Sequence, residues 1–556
     1  MTNAALRGKP DAGNPHVRFD EGEVASCTAE ASLRRVHCRR QPEGRASVCA
    51  ATPRRGSLLY KRKSWRRRLD WMPVACLCCS MALADVKTPF VEDDVGGLPP
   101  GVRTRHVAST TWKAFNEAPP PLPRLGTLRT RRSGEIAASS WSVGCECLDR
   151  DYANFEMYKT FLPDLGVKWA RLQSGWAKTE RTKGVYDFAW LDAQVDYLVT
   201  NAIAPWVTLC YGNPLYNSGK WLGMAMAPLV DNSEGFAAWL AYVEATVARY
   251  RDRVPMWEIW NEPFDQGKAY GRLCAETISR IVKVQPEAEI VISACRFPSD
   301  SEAVYEAVRE KGVAGAIRYW ACHPYHQNPD ASYAGFTKGL YAPVERRRDW
   351  ARARNPKWDV LQGECGCPAQ LEFAHALCNV PWTEVSQAKW VLRRAMGDAV
   401  RGIFSSHFAI TDNHYPNMIQ SYGLVRCDLL GRFVYRRPVY YAMRNVYGFF
   451  DADVKPLWFE KAVAGRREIS IARFAKKGRP VLVAWFSDAR PDDSLAWKPN
   501  VPVPGAADFP DPVLVDLVTG GVYALPAGKT ALPLRDSPVL VANRDVVEIK
   551  DEEAMQ

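Results

Sequence analysis

The sequence predicts an α/β fold: a (β/α)8 barrel of the TIM type followed by a small antiparallel β-sandwich. Three observations predict it. Short apolar runs recur eight times between Ser142 and Ile410, segments of helical period separate them, and after Tyr447 the helical period gives way to β-rich runs punctuated by turns.

The first part of the chain, residues 1–84, is a basic leader. It holds 16 Lys/Arg against 7 Asp/Glu, which is +9 of the formal +11; the other 57 basic and 55 acidic residues nearly cancel, which argues against a nucleic-acid groove. Within it, Lys61-Arg62-Lys63-Ser64-Trp65-Arg66-Arg67-Arg68 precedes the apolar run Trp71 to Leu83, and Ala82-Leu83-Ala84 stands before Asp85. A charged region, a short apolar core and a small-x-small site form the pattern of a signal peptide, so export to the periplasm or the exterior is expected. The run is shorter than the roughly 20 residues a membrane-spanning helix needs, so no stable span is expected.

Residues 85–135, with Pro119-Pro120-Pro121 and scattered charge, read as an extended arm or linker. Residues 136–447 carry the barrel pattern, with strand candidates at Ser142–Cys145, Val167–Leu172, Ala204–Tyr211, Pro255–Trp260, Glu289–Ala294, Ile317–Cys322, Asp359–Gln362 and Gly402–Ile410. Between them, sets such as Phe155, Tyr158, Phe161, Leu162 and Leu165, or Trp239, Tyr242, Val243 and Val247, repeat at helical spacing. Alternating strands and helices make a closed parallel sheet with helices outside the economical arrangement. Residues 448–545 hold the β-rich runs Glu468–Phe474, Val481–Phe486, Val513–Leu517 and Val539–Ala542, the accessory sandwich, and 546–556 are a tail. Ten of the 16 cysteines lie outside the leader, too sparse for a disulfide scaffold, and several fall in apolar runs where a buried free thiol is the usual occupant. The pairs Cys145/Cys147 and Cys365/Cys367 lack the two-residue gap of a zinc knuckle, so no metal is expected.

The chemistry concentrates in Trp257-Glu258-Ile259-Trp260-Asn261-Glu262-Pro263. Pro263 cannot continue a strand ladder, so Asn261 and Glu262 sit where the fourth strand opens into a loop, at the end of a parallel barrel where sites form. A second strand-like run ends in Gly363-Glu364-Cys365-Gly366, which places another Glu at the same mouth. Two carboxyl groups facing each other are what glycosidic cleavage requires, one as acid and one as nucleophile or base.

These segments resemble the retaining glycoside hydrolases of clan A. Trp257 to Pro263 is similar to the Phe-Glu-Val-Trp-Asn-Glu-Pro pattern of family 39, the β-xylosidases and α-L-iduronidases, whereas Gly363-Glu364-Cys365-Gly366 is more similar to the Glu-x-Gly of families 2 and 5. The resemblance covers roughly Ser140 to Val446, the length of a barrel of about 250 residues with insertions. It implies Glu262 as acid/base, Glu364 as nucleophile, and a carbohydrate substrate with β-linked sugars the default. Asn261 would contact the hydroxyl beside the anomeric carbon, Tyr325 would hydrogen-bond Glu364, His323 would line the pocket and Arg171 would support the nucleophile. Glu258, on the same strand face as Glu262, is the expected buried partner of Arg171.

Aromatic residues near strand ends, Trp141, Trp176, Tyr211, Trp221 and Trp382, are candidates for stacking on sugar faces, Trp176 and Tyr211 foremost. His407 on the eighth strand and Asp412 after it are weaker candidates for the pocket floor. No metal or organic cofactor is required by this chemistry. Two other readings stay open: a metal-dependent barrel hydrolase using His323, His326 and His407, and a transglycosylase sharing the first half of the reaction.

Overall fold

The computed structural model describes residues 109–216, 227–330, 341–416 and 418–550. The leader with its apolar run and Trp221 lie outside these residues. Eight parallel strands close into a barrel: Trp141–Gly144, Trp169–Gln173, Ala204–Leu209, Met256–Ile259, Glu289–Ile292, Ile317–Cys322, Asp359–Cys365 and Phe404–His407. They are called barrel strands one to eight below. Strand one closes the ring on strand eight through the pairs Trp141 with Ser405 and Val143 with His407. Each expected run overlaps one of these strands. Their residues are apolar almost throughout because helices cover the outer face and side chains fill the inner one.

The helices between them bury one stripe each. Ser233–Tyr250 starts where the Asn232 side chain accepts from the Gly235 N–H and turns Phe236, Trp239, Leu240, Val243 and Val247 onto the barrel. Glu384–Val400 begins with Thr383 and Ser386 capping each other reciprocally. Among the described residues, no helix is long and apolar enough to cross a membrane.

The barrel interior is filled from below. Trp206, Met256, Val291, Ala321, Leu361 and Phe404 form an enclosed apolar cluster with Trp169 and Tyr319 packed against it. Its largest member, Trp206, donates from Nε1 to Ser142 Oγ at 2.9 Å, which satisfies the buried indole N–H. Inward positions alternate along each strand, so Trp169, Arg171 and Gln173 step from this floor toward the mouth.

The C-terminal region is an eight-stranded antiparallel sheet with a two-stranded sheet, Lys498–Pro502 and Ala531–Leu534, packed on one face. Ile469, Ile471, Leu482, Leu514 and Val541 pack with Val501, Leu532 and Leu534 on that side. The alternate positions Ala472, Phe474, Val481, Val483 and Trp485 belong to the main core shared with the barrel. The stretch read as an extended arm also carries a strand, Arg124–Leu128, which pairs with Gly521–Ala524 on one side and with Ile549–Lys550, in the expected tail, on the other. Its partners lie some hundreds of residues away, and five residues of mixed polarity give no local signal for such a pairing. The ten cysteines outside the leader are all buried free thiols.

A buried polar joint ties barrel to sandwich. Arg393 Nε donates to Asp330 Oδ2, the indole of Trp485 donates to Asp330 Oδ1 at 2.9 Å, and Asn328 Oδ1 accepts from Arg393 Nη2 at 3.0 Å. Removing the carboxylate leaves an enclosed guanidinium without a counter-charge. Asp330→Ala is therefore expected to lower stability by about 3–5 kcal/mol, read as a shift in the urea midpoint, with Asp330→Asn losing less.

Candidate active site

Arg171 sits at the centre of the barrel, without solvent exposure, over the ring of Trp206 at 5.3 Å. Each of its nitrogens has a partner. Nε donates to Glu258 Oε2 at 2.8 Å, Nη2 to Asn261 Oδ1 at 2.8 Å, and Nη1 to both Glu146 Oε1 at 2.8 Å and Glu364 Oε2 at 3.0 Å. Burial alone would lower its pKa, but the carboxylates of Glu146, Glu258 and Glu364 hold it well above its ordinary value. Glu258 lies one layer below the mouth, where it also accepts from Thr208 Oγ1 at 2.6 Å. It is the enclosed partner of Arg171, as the alternation of strand four expects.

The regular strand stops at Ile259. Trp260 and Glu262 then take positive φ, 64° and 49°, a region that non-glycine residues enter only when the surroundings enforce it. Trp260 turns away to pack edge-on against Tyr211 and Trp239, while Asn261 and Glu262 turn into the mouth. Alternation alone therefore does not carry Glu262 to the site; the kinked backbone after Ile259 does.

Glu364 lies near the end of strand seven. Tyr325 Oη donates to its Oε1 at 2.9 Å while Arg171 holds Oε2. Burial pushes the pKa of Glu364 up, and Arg171 and the Tyr325 hydroxyl pull against that shift. Glu262 Oε1 lies 2.8 Å from His323 Nδ1. Burial, with the nearby charges of Arg171 and Arg347, drives His323 well below its ordinary pKa, so the imidazole is neutral. Its Nε2 is enclosed without a partner, facing Gly363. A bare nitrogen lone pair is the lesser penalty there, which assigns the proton to Nδ1 as a donor to Glu262. Among the described residues, Glu262, His323 and Glu364 are also the set whose ligand-type atoms approach one another closely, all within 4.8 Å.

The pocket above Arg171 is lined by Glu146, Arg150, Gln173, Asn261, Glu262, Tyr325, Glu364, His375 and Tyr415, with others at its rim. Sequence reading missed Glu146, Arg150, Gln173, His375 and Tyr415. Gln173 had a signal, since it is two residues past Arg171 on the same strand face. Glu146 had a weaker one, one residue beyond the expected end of strand one, between two cysteines that drew attention to metal instead.

Several expected contact residues lie away from the pocket. Trp176 is fully enclosed, donating to Glu180 Oε2 and packed among Tyr216, Trp239 and Tyr242, so it cannot face a sugar. Tyr211 lies behind the pocket wall, under the Arg150 guanidinium and against Gln173 Nε2, where it supports the lining without forming it. Trp141 and Trp382 are buried with their indole N–H groups on the carbonyls of Phe450 and Leu377. His407 is buried behind the lining, and burial pulls its pKa down to about 3. Asp412 is sealed in an ion pair with Arg437 at 2.6 Å. His326 turns its Nδ1 to the Asn328 backbone, away from the Glu262, His323 and Glu364 group.

No protein-family model matches the chain, and no curated protein matches it in sequence. Solved structures do match in three dimensions. A family 39 glycoside hydrolase from the gut symbiont Bacteroides cellulosilyticus is similar over 73% of this chain and 81% of its own, with a TM-score of 0.56 and 18% identity. A monomeric β-xylosidase from Caulobacter crescentus is similar over 75% and 97%, with a TM-score of 0.48 and 16% identity. The likeness is one of fold. The first of these, at a TM-score of 0.56, agrees with the barrel-plus-sandwich architecture and assigns no substrate.

If Trp176 is a core residue, Trp176→Phe lowers thermal stability and leaves the KM for any glycoside unchanged. Steady-state kinetics beside a melting curve separate the two effects.

Proposed function

We propose that the protein is a retaining glycoside hydrolase that cleaves β-linked oligo- or polysaccharides by double displacement. The observation that carries this reading is the spacing of the two mouth carboxyls: an oxygen of Glu262 and one of Glu364 lie within 4.8 Å. Retaining enzymes hold the pair about 5–5.5 Å apart, and inverting ones about 6.5–9.5 Å apart to admit a water.

In the first step, Glu364 attacks the anomeric carbon from one face. Its orientation is set by Tyr325 and Arg171, which together occupy both of its oxygens. Glu262, oriented at Oε1 by His323, gives its proton to the departing oxygen. In the second step, Glu262 takes a proton from water, which attacks the glycosyl–Glu364 ester and frees the sugar. Arg171 fixes the Asn261 carbonyl oxygen, which leaves its amide Nδ2 to donate to the hydroxyl beside the reacting carbon. That bond strengthens as positive charge develops in the transition state.

Product followed by NMR should keep the anomeric configuration of the substrate, and inverted product overturns the mechanism. Glu364→Ala should lose on the order of 10⁴-fold in kcat, and added azide should restore turnover as a glycosyl azide of opposite configuration. Tyr325→Phe removes a group that lowers the pKa of Glu364, so the acidic limb of the pH–rate profile moves to higher pH. A hydrogen bond to a charged group of about 1.5–3 kcal/mol sets the accompanying loss at roughly ten- to a hundredfold in kcat.

The approach of Glu262, His323 and Glu364 within 4.8 Å supports a second reading, a metal-assisted hydrolase. Dialysis against a chelator separates the two: retained activity fits the carboxylate mechanism, and loss restored by a divalent metal fits the alternative.

A further inference from the structure

Glu146 lies two residues past the end of barrel strand one and is 3% exposed. Its Oε1 accepts from Arg171 Nη1 at 2.8 Å, and the same nitrogen reaches Glu364 at 3.0 Å, so the two carboxyls share one donor. The carboxyl folds back over the end of its own strand, and Gly144 makes the room: a Cβ there would stand 2.9 Å from Glu146 Oε1. The second oxygen, Oε2, has no partner among the described residues, and the side chain lines the pocket. A nearly buried carboxyl with one oxygen anchored and the other open to the cavity is built to meet a ligand.

We propose that Glu146 is a specificity-determining residue that contacts the substrate, donating from Oε2 to a hydroxyl of a neutral sugar held between Glu262 and Glu364. This rests on the glycosidase reading and deepens it.

The groups facing Glu146 are the guanidinium of Arg171 from strand two, the carboxyls of Glu258 from strand four and Glu364 from strand seven, and the neighbouring thiols of Cys145 and Cys147. Burial pushes Glu146 up to about 8, opposed by Arg171 and reinforced by Glu364 and Glu258. A carboxyl raised in this way keeps its proton more readily than a free one and can donate it. Above that range it becomes a second negative charge on the nitrogen that holds the nucleophile. The sugar class follows from the surrounding charge. Arg171 and Arg150 stand against the carboxyls of Asp149, Glu146, Glu258, Glu262 and Glu364, and Arg150 is already engaged with Asp149 at 3.3 Å and Gln173 at 2.9 Å. With Glu146 and Glu262 protonated, Asp149, Glu258 and Glu364 already offset both guanidiniums, so a uronate would add a negative charge beyond what these cations match.

The test uses the full-length protein, a panel of neutral aryl glycosides with the matching uronides, and monodeoxy versions of the best substrate. Glu146→Gln keeps the shape and a donor, so it should lose less in kcat/KM than Glu146→Ala. Glu146→Ala should lose roughly tenfold in kcat/KM, the worth of one hydrogen bond in a site. That loss should vanish for the one deoxy substrate that lacks the contacted hydroxyl, a pattern that a merely structural role does not produce. The proposal fails if Glu146→Ala is equally damaging on every deoxy substrate, if Glu146→Gln loses as much as Glu146→Ala, or if the uronide is the better substrate. Calorimetry with an iminosugar separates this from failure of the glycosidase reading. Binding that weakens in Glu146→Ala without hydrolysis of any glycoside keeps the contact and sinks the hydrolase; no binding and no hydrolysis sinks both.

Discussion

A guanidinium sealed from solvent must be matched on every nitrogen, and Arg171 is matched by Glu146 after strand one, Glu258 and Asn261 from strand four, and Glu364 from strand seven. One side chain on strand two thereby joins strands one, four and seven. The match fixes the relative heights of those strands at the mouth, because each partner must meet one planar fork. It also concentrates acid groups around a single cation, and burial then pushes Glu146 and Glu364 upward while Arg171 pulls both back. The shifted protonation and the barrel's register thus have one origin.

The arrangement is held from two sides. Below, Trp206 supports Arg171 with its ring and anchors its own N–H on Ser142. Above, Tyr325 and His323, both just past strand six, hold Glu364 and Glu262 from the same short segment. Neutral His323 orients Glu262 without adding a positive charge that would oppose its protonation. Positive φ at Trp260 and Glu262 is the local backbone strain accepted for that aim, and the packing of Trp260 against Tyr211 and Trp239 keeps it in place.

The barrel was legible in the sequence because each strand is buried on both faces and reads as a run of apolar residues. The limits of the runs were less so. Gly402–Ile410 overshoots a strand that ends at His407, and Ala204–Tyr211 one that ends at Leu209, since the apolar residues beyond pack as buried loop. The pairing of Arg171 with Glu258, and of Tyr325 with Glu364, was accessible through alternation and resemblance. The aromatic contacts were not, because an indole facing a sugar and one filling a core leave the same letter in the sequence. Trp176 is separated from the pocket by packing with Tyr216 and Tyr242, which no periodicity reports. Glu146 escaped for a related reason: its direction depends on the space left by Gly144, a property of the folded chain.

The apolar floor around Trp206 has a kinetic meaning. A barrel plugged at one end is a cup with a single opening, and whatever lies deepest departs last. In the proposed reaction the sugar bound to Glu364 lies above Arg171, which covers that floor, and the fragment beyond the severed bond lies toward the rim. The outer fragment must clear the opening before water can enter by the same route. Release is thereby ordered in time by the closure of the barrel beneath it, without any moving part.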